Sequence, residues 1–473
     1  MKKWLKRIGW GLVSLLLLTA IAIVAVLKLD KKRTSYLRIQ DTSDSYVIKN
    51  VNIVPMTGDT VLYQQDILVE HGFISMIAPD LSLGTSIKID GTGKFLSPGL
   101  ADMHVHVWDD YELGLYLAKG VTTLRNMWGM PFHLRMKERI NSKEIYAPLF
   151  FTASPKLTGP EDEGIDKKRV KDAKDGRRLV AKYKKQGYDY IKTYAGLPKD
   201  IFDAIKTEAL AQNISLASHP SFEVSYDYHF SKPIKAIEHT EDVVQQALKY
   251  EDDSLMLAMT LEHYAQTEIG HTPTLTVFHK ISEIIEKESA LLSEESIGYI
   301  NPAFLELGSH DDYNRWTSTK LYDSLVGERI LKQHQQHLKI VKKMNDAGVI
   351  LLAGTDSGIS YAVPGLGIHE ELGFYKEAGL TNYEVLKTAT VNPSSIYEEL
   401  SNTGTLEVGK LANFVLTSEN PLENLKTLQA PEKVFIKGLI LDSDRLTKLQ
   451  EKAFKRNNYW ATTIRLAEGL LFQ

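Results

Sequence analysis

The chain of 473 residues contains no cysteine. Disulfides, iron–sulfur clusters, thiolate zinc sites and cysteine nucleophiles are therefore excluded, and any metal must be held by His, Asp, Glu or a modified Lys. A basic excess is missing too. Lys and Arg number 56 against 60 Asp and Glu, a formal charge of -4, so the composition points to no nucleic-acid partner. There is no internal repeat and no low-complexity segment, which excludes solenoid architectures. Hydrophobic residues at 43% and charged residues at 25% are ordinary for a globular protein.

What is present begins with an uncharged run of 20 residues, 8–27. Lys2, Lys3, Lys6 and Arg7 precede it, and Lys28, Lys31, Lys32 and Arg33 follow. At about 1.5 Å per residue such a helix spans roughly 30 Å, the thickness of a bilayer core. Ala20-Ile21-Ala22 resembles a signal-peptide cleavage site, but the apolar run continues past it. An uncleaved anchor is the preferred reading, and a cleaved signal peptide is the alternative. By analogy with N-terminal signal anchors, the tail is placed in the cytoplasm and the main body outside. Residues 1–33 are thus expected to be a membrane anchor, with a polar linker over about 30–44 and the lipid bilayer as partner.

Short β-branched runs at 46–56, 66–70 and 74–77, and again at 414–417 and 434–441 with Lys437-Gly438 between, predict one small β unit built from both chain ends. It takes residues 34–96 and 403–443. Between its halves, residues 97–402 alternate apolar runs with helical patterns. Eight candidate strands fall at 100–107, 121–126, 148–153, 188–194, 214–218, 236–238, 272–277 and 349–355. Helices are expected at 176–186 and 199–212, with a helical insertion around 280–340. Eight strands alternating with helices predict an α/β fold with a closed parallel TIM barrel, (β/α)8; a doubly wound open sheet is the alternative. The last stretch, 444–473, reads as an amphipathic helical extension.

Catalytic groups in such barrels stand at the C-terminal ends of strands. The first candidate strand ends Asp102-Met103-His104-Val105-His106. Alternation puts His104 and His106 on one face, where two imidazoles can share a metal ion. The fifth strand ends at His219, the sixth at His239, and the eighth at Gly354-Thr355-Asp356, with Asp356 in phase with Leu352. Lys192 on the fourth strand is in phase with Tyr190 and Tyr194. An inward lysine is costly to bury as a cation, so it needs an acid beside it or a chemical change. Addition of CO2 to the amine would turn it into a bridging carbamate ligand. Tyr194 and Trp108 are candidate substrate contacts. Glu161, Asp162 and Glu163 sit in a mouth loop. His334 and His337 read as surface residues, and His369 as a residue that could line the site.

These residues resemble the amidohydrolase superfamily, in the branch of imidazolonepropionases and prolidase-type dipeptidases. The resemblance rests on Ser97-Pro98-Gly99-Leu100-Ala101-Asp102-Met103-His104-Val105-His106, Gly120-Val121-Thr122-Thr123-Leu124-Arg125, Tyr190-Ile191-Lys192, Ala217-Ser218-His219, Ile237-Glu238-His239, Ala353-Gly354-Thr355-Asp356 and Asn392-Pro393. Gly404 to Lys410 resembles a closing segment, so the likeness runs over about 46–441. It implies a barrel with a small β-sandwich and two divalent ions, best Zn2+. His104, His106 and Asp356 would hold the first ion, His219 and His239 the second, and carboxylated Lys192 would bridge them. It further implies hydrolysis of a C–N bond in a small amide, short peptide or cyclic amide by metal-activated hydroxide, with Asp356 carrying the proton. Imidazolonepropionases lack the bridging lysine, so Lys192 tilts the expectation toward the dipeptidase side. Asn126 and Asn413 stand where Asp is usual, Pro220 follows His219, and 154–166 lacks a Gly-Gly-His feature of many relatives. The alternatives are an imidazolonepropionase-like enzyme and a non-catalytic, membrane-anchored ligand-binding barrel.

Overall fold

The computed structural model describes residues 2–39, 45–82, 87–162 and 164–473. Glu163 and residues 40–44 of the expected linker lie outside them. The centre of the molecule is a set of short parallel strands. Leu100–Val105 pairs with Val121–Asn126, which pairs with Leu149–Thr152. Ala153 bridges to Tyr190. Tyr190–Thr193 pairs with Ser215–Ser218, then come Ile234–Glu238 and Gly270–Thr272. His271 bridges to Leu351 and Ser357 to Val105, so the order of parallel neighbours returns to its first strand. Every residue of the first two strands is buried, as expected for strands covered on both faces.

Helices follow these strands with local reasons to start and stop. Asp109 caps Asp110–Ala118 by accepting from Glu112 N at 3.0 Å. Asp172 caps Ala173–Gln186 by accepting from Asp175 N at 2.7 Å. A side-chain oxygen there satisfies a backbone donor that the helix start leaves open. Gly187, at φ 96°, takes the left-handed turn that ends the second helix.

The strands at the two chain ends pair into one eight-stranded sheet. Phe95–Pro98, from the first half, pairs with Phe414–Thr417, from the second. Its apolar side, including Ile48, Ile53, Ile67, Leu96, Phe414 and Phe435, forms a core separate from the central one. Two of its strands, Ile87–Asp90 and Phe95–Pro98, were not expected.

Three expectations are corrected. The seventh strand is Gly270–Thr272, not 272–277, because Leu275–Lys287 is already helix. The β-branched run Thr274-Leu275-Thr276-Val277 mimics a strand, but Glu371 accepts from Leu275 N and Thr276 N, at 3.0 and 2.7 Å, and holds the first helical turn. The eighth segment joins its neighbours through bridges at Leu351 and Ser357 rather than as a strand over 349–355. Asp30–Arg33 is not linker but the end of one helix, Lys2–Arg33. The insertion is largely helical, with His310–Tyr322 and Val326–Asp346 as its longest pieces. The C-terminal extension is two helices, Ser443–Phe454 and Tyr459–Phe472.

Candidate metal centre

Six side chains named from the sequence line one cavity of about 570 Å³: His104, His106, Lys192, His219, His239 and Asp356. They come from the ends of five of the inner strand segments. The ligand atoms of His104, His239 and Asp356 lie within 4.8 Å of one another. His106 Nε2 is 2.7 Å and His104 Nε2 3.3 Å from Asp356 Oδ1. The rings of His104 and His239, and of His219 and His239, are 4.9 and 4.6 Å apart. His239 and Asp356 both have positive φ, 70° and 56°, an uncommon conformation held here by the strand ends around them.

The backbone of the first and eighth segments is tied tightly behind these groups. Asp102 accepts from Thr355 N at 3.1 Å and from Thr355 Oγ1 at 2.8 Å, and Asp356 N donates to His104 O at 2.7 Å. Gly354 is required by close approach. A Cβ there would stand 2.4 Å from Thr272 Cγ2 and 2.9 Å from His104 Cβ.

A buried pair not picked out from the sequence sets the orientation of His104. Glu238 Oε2 lies 2.9 Å from His104 Nδ1, and both Glu238 oxygens accept from Arg125 Nη2, at 2.8 and 2.9 Å. Arg125 also donates to Met103 O at 2.5 Å and to Tyr397 Oη. Glu238 follows its strand's alternation with Ala236, but nothing in sequence spacing links it to Arg125, 113 residues away.

Charge in the site is governed by burial. It pushes the imidazoles of His104, His106, His219 and His239 below their ordinary value. It lowers the Lys192 ammonium to about 8 despite Glu238 and Asp356 nearby. Burial would raise the Asp356 carboxyl, but His104, His106 and Lys192 outweigh it and hold the group well below the usual carboxylate range. Glu241, on the cavity wall, is pushed up to about 7 by burial and by Asp356.

The donor set fits a cation. With His104 Nδ1–H given to Glu238, neutral His104 turns a lone pair from Nε2 toward Asp356 Oδ1 at 3.3 Å. Two acceptors at that distance repel unless a positive centre stands between them. Lys192 Nζ and His219 Nδ1 are buried with no hydrogen-bond partner. The other nitrogen of His239 is occupied, with Nδ1 2.8 Å from Thr274 Oγ1, as metal-binding imidazoles commonly are.

Other named residues fall as follows. Tyr194 lines the cavity and stacks on His219 at 4.4 Å. Trp108 stands behind His106, stacked on Phe304 at 4.2 Å, with Nε1 donating to Gly358 O; the wall is Trp128 instead. His334 and His337 are buried, not surface residues, because their helix packs one face on Leu275–Lys287. His369 is turned away and bonds Lys119 O at 3.0 Å. Lys156, Asp166 and Arg315 complete a polar rim that the sequence did not single out.

Residues 314–441 match the model of the amidohydrolase family, a stretch that holds Asp356 but none of the other five groups. Over 63 residues the chain is 44% identical to a dihydroorotase of Carboxydothermus hydrogenoformans, covering 13% of this chain and 14% of that protein. The chain therefore matches only about a seventh of that curated relative's length. In fold it is similar to a bottromycin amidohydrolase (TM-score 0.73, 22% identity, 91% of this chain and 93% of that one). It is also similar to a Xaa-Pro dipeptidase solved with methionine bound in its active site (TM-score 0.65, 17% identity, 84% of this chain and 100% of that one). Residues 314–441 thus match the amidohydrolase family, and the α/β fold of the chain is similar to that of a bottromycin amidohydrolase and a Xaa-Pro dipeptidase.

Proposed function

We propose that the protein is a membrane-anchored, metal-dependent hydrolase of C–N bonds, with a prolidase-like preference for short peptides or small amides. The observation that carries this reading is the convergence of His104, His106, Lys192, His219, His239 and Asp356 on one cavity of about 570 Å³, within the range of small-molecule sites. The returning order of parallel strands is read as a (β/α)8 barrel over 97–402, with residues 34–96 and 403–443 forming the small β-sandwich domain and 444–473 the C-terminal extension. The likeness in fold to a Xaa-Pro dipeptidase supports the peptide side of the reading.

His104, His106 and Asp356 would hold one divalent ion and His219 and His239 a second, with carboxylated Lys192 between them. The oxygen and nitrogen donors suit Zn2+ best. When bound, such ions acidify water and polarise a carbonyl. The amine of Lys192, shifted to about 8 and without a hydrogen-bond partner, has the neutral fraction that CO2 addition needs. The Asp356 carboxylate is placed to take the proton from attacking water and deliver it to the nitrogen as the C–N bond breaks. Glu238, held by Arg125, keeps His104 in one tautomer. Tyr194 faces the substrate from the wall, and the two flanking tryptophans narrow the site, Trp128 directly and Trp108 by backing His106.

The helix over residues 7–33 contains an 18-residue apolar stretch with no buried residue, which supports an N-terminal anchor with the catalytic body outside the cytoplasm. Hydrolysis of a library of dipeptides, N-acyl amino acids and cyclic amides tests the reading. Turnover of Xaa-Pro or related dipeptides is expected. Turnover of imidazolone-type rings alone would favour the cyclic-amide alternative, and no turnover with no bound metal would leave a binding protein.

A further inference from the structure

The end of the C-terminal helix carries a patch that no part of the catalytic reading uses. Leu471 and Phe472 are 76% and 65% exposed, and Ile165, in the loop after the third inner strand, is 80% exposed. The two segments touch, since Gln473 Nε2 donates to Ile165 O at 3.3 Å. Beside them stand Lys168, Arg169 and Lys171. None of the three has a carboxylate within ion-pair distance among the described residues, whereas three nearby acids are engaged by other cations. Asp166 pairs with Lys156, Asp162 with Lys167 and Glu468 with Arg135.

The position of this patch follows from the N-terminal helix. Arg465 Nη2 donates to Asp30 at 2.6 Å, and Arg33 Nη1 donates to Asn457 O at 2.5 Å. The pairs 30 with 465 and 33 with 457 mean that the two helices run in opposite directions. From Arg465 to Phe472 the C-terminal helix rises about 10 Å, which brings its end toward the level of Ile23, inside the apolar run. Asp30 and Thr34 are buried, and Thr34 Oγ1 bonds Asp110 at 3.1 Å, so the exit of the anchor is fastened to the body.

We propose that Ile165 and the Leu471–Phe472 end form a second bilayer contact, with Lys168, Arg169 and Lys171 facing anionic headgroups. Apolar side chains entering the interface, ringed by cations that attract anionic lipid, are the chemistry of a monotopic contact. The proposal rests on the reading of residues 7–33 as a membrane span. Its consequence is positional. The same loop places Asp166 on the cavity wall and Lys167 5.4 Å over the Tyr194 ring, so the mouth of the site would open at the lipid surface.

The absence of native cysteine makes the test direct. Ile165→Cys, Leu471→Cys, Leu15→Cys and Leu210→Cys, each in the full chain, are labelled with an environment-sensitive dye. They are then reconstituted in phosphatidylcholine vesicles with and without phosphatidylglycerol. Leu210 lies beside Ser215 and Ile234, at the opposite ends of the inner strands from the mouth, and serves as the reference. Labels at 165 and 471 are expected to shift to the blue and to be quenched by doxyl lipids, more strongly with phosphatidylglycerol, while 210 is not. If 165 and 471 behave as 210 does while 15 is quenched, the second contact is overturned and the span stands. If 15 is unquenched the span is overturned, and the labels at 165 and 471 then decide the surface contact alone. Lys168→Glu with Lys171→Glu should abolish the phosphatidylglycerol dependence; an unchanged dependence overturns the headgroup assignment.

Discussion

Glu238→Gln removes one charge and hardly any volume from behind the candidate centre. In the native chain both carboxylate oxygens accept from Arg125, and one also meets His104 Nδ1. A glutamine turns an N–H toward one of these donors and leaves Arg125, wholly buried, without its counter-charge. Breaking a buried ion pair by removing one partner costs about 3–5 kcal/mol. Loosening the partner of a metal-ligating imidazole lowers metal affinity by roughly 10–100-fold. The two effects separate in the double variant Glu238→Gln, Arg125→Met, in which no buried charge is orphaned. Stability should return most of the way while metal affinity stays low, because His104 still lacks its anionic partner. Urea unfolding followed by circular dichroism reads the first quantity, and competition against a fluorescent chelator reads the second. Metal affinity in Glu238→Gln equal to the native value, on protein shown to be folded, would refute the role given to Glu238.

Three further outcomes follow. Asp356→Asn should lose turnover by several orders of magnitude while retaining most bound metal, measured by kinetics and metal analysis on one preparation; near-native turnover would remove Asp356 as the proton carrier. Gly354→Ala should destabilise the fold by about 1–3 kcal/mol and weaken metal binding, because the new methyl must displace Thr272 or the strand carrying His104; a thermal melt superposing on the native one would contradict the close packing. On the small sheet, burial would raise Asp66, but Lys49 and the N–H groups of Asn50 and Leu81 hold it below its ordinary 3.8. A depressed carboxyl stabilises the fold above its unfolded pKa and loses that contribution as pH falls through the folded one, so Asp66→Asn should be destabilising at pH 7 and converge on the native stability below pH 3.8; a gap that does not vary with pH would reject it.

Much of the fold was legible because the inner strands are short, β-branched and broken by glycine or helix caps. The strand over Val121–Asn126 and the helices after 173 and 199 lie where periodicity puts them. The seventh strand misled because Thr274, Thr276 and Val277 have strand-like side chains, and the contact that makes them helical comes from Glu371, 95 residues away at Thr276. His334 and His337 read as surface residues because their helix is polar overall, and only its packing partner shows which face is covered. At the site, His104, His106, Lys192 and Asp356 were visible because alternation along a strand tells which side chains share a face, and His219 and His239 because each stands at a strand end. Glu238 and Arg125 were not, since a buried ion pair between distant strands leaves no local pattern. Glu241 was hidden for a similar reason: its place on the wall depends on how the chain leaves the sixth strand after His239, whose φ is positive.

The most direct test is metal content with structure on the same sample. Protein expressed with supplemented zinc, washed of loose ions and analysed by mass spectrometry of the elements, should hold close to two ions per chain. Anomalous density should fall between His104, His106 and Asp356 and between His219 and His239, with a carbamate on Lys192. Protein that stays metal-free after supplementation, or ions bound elsewhere with these six side chains empty, would contradict the account.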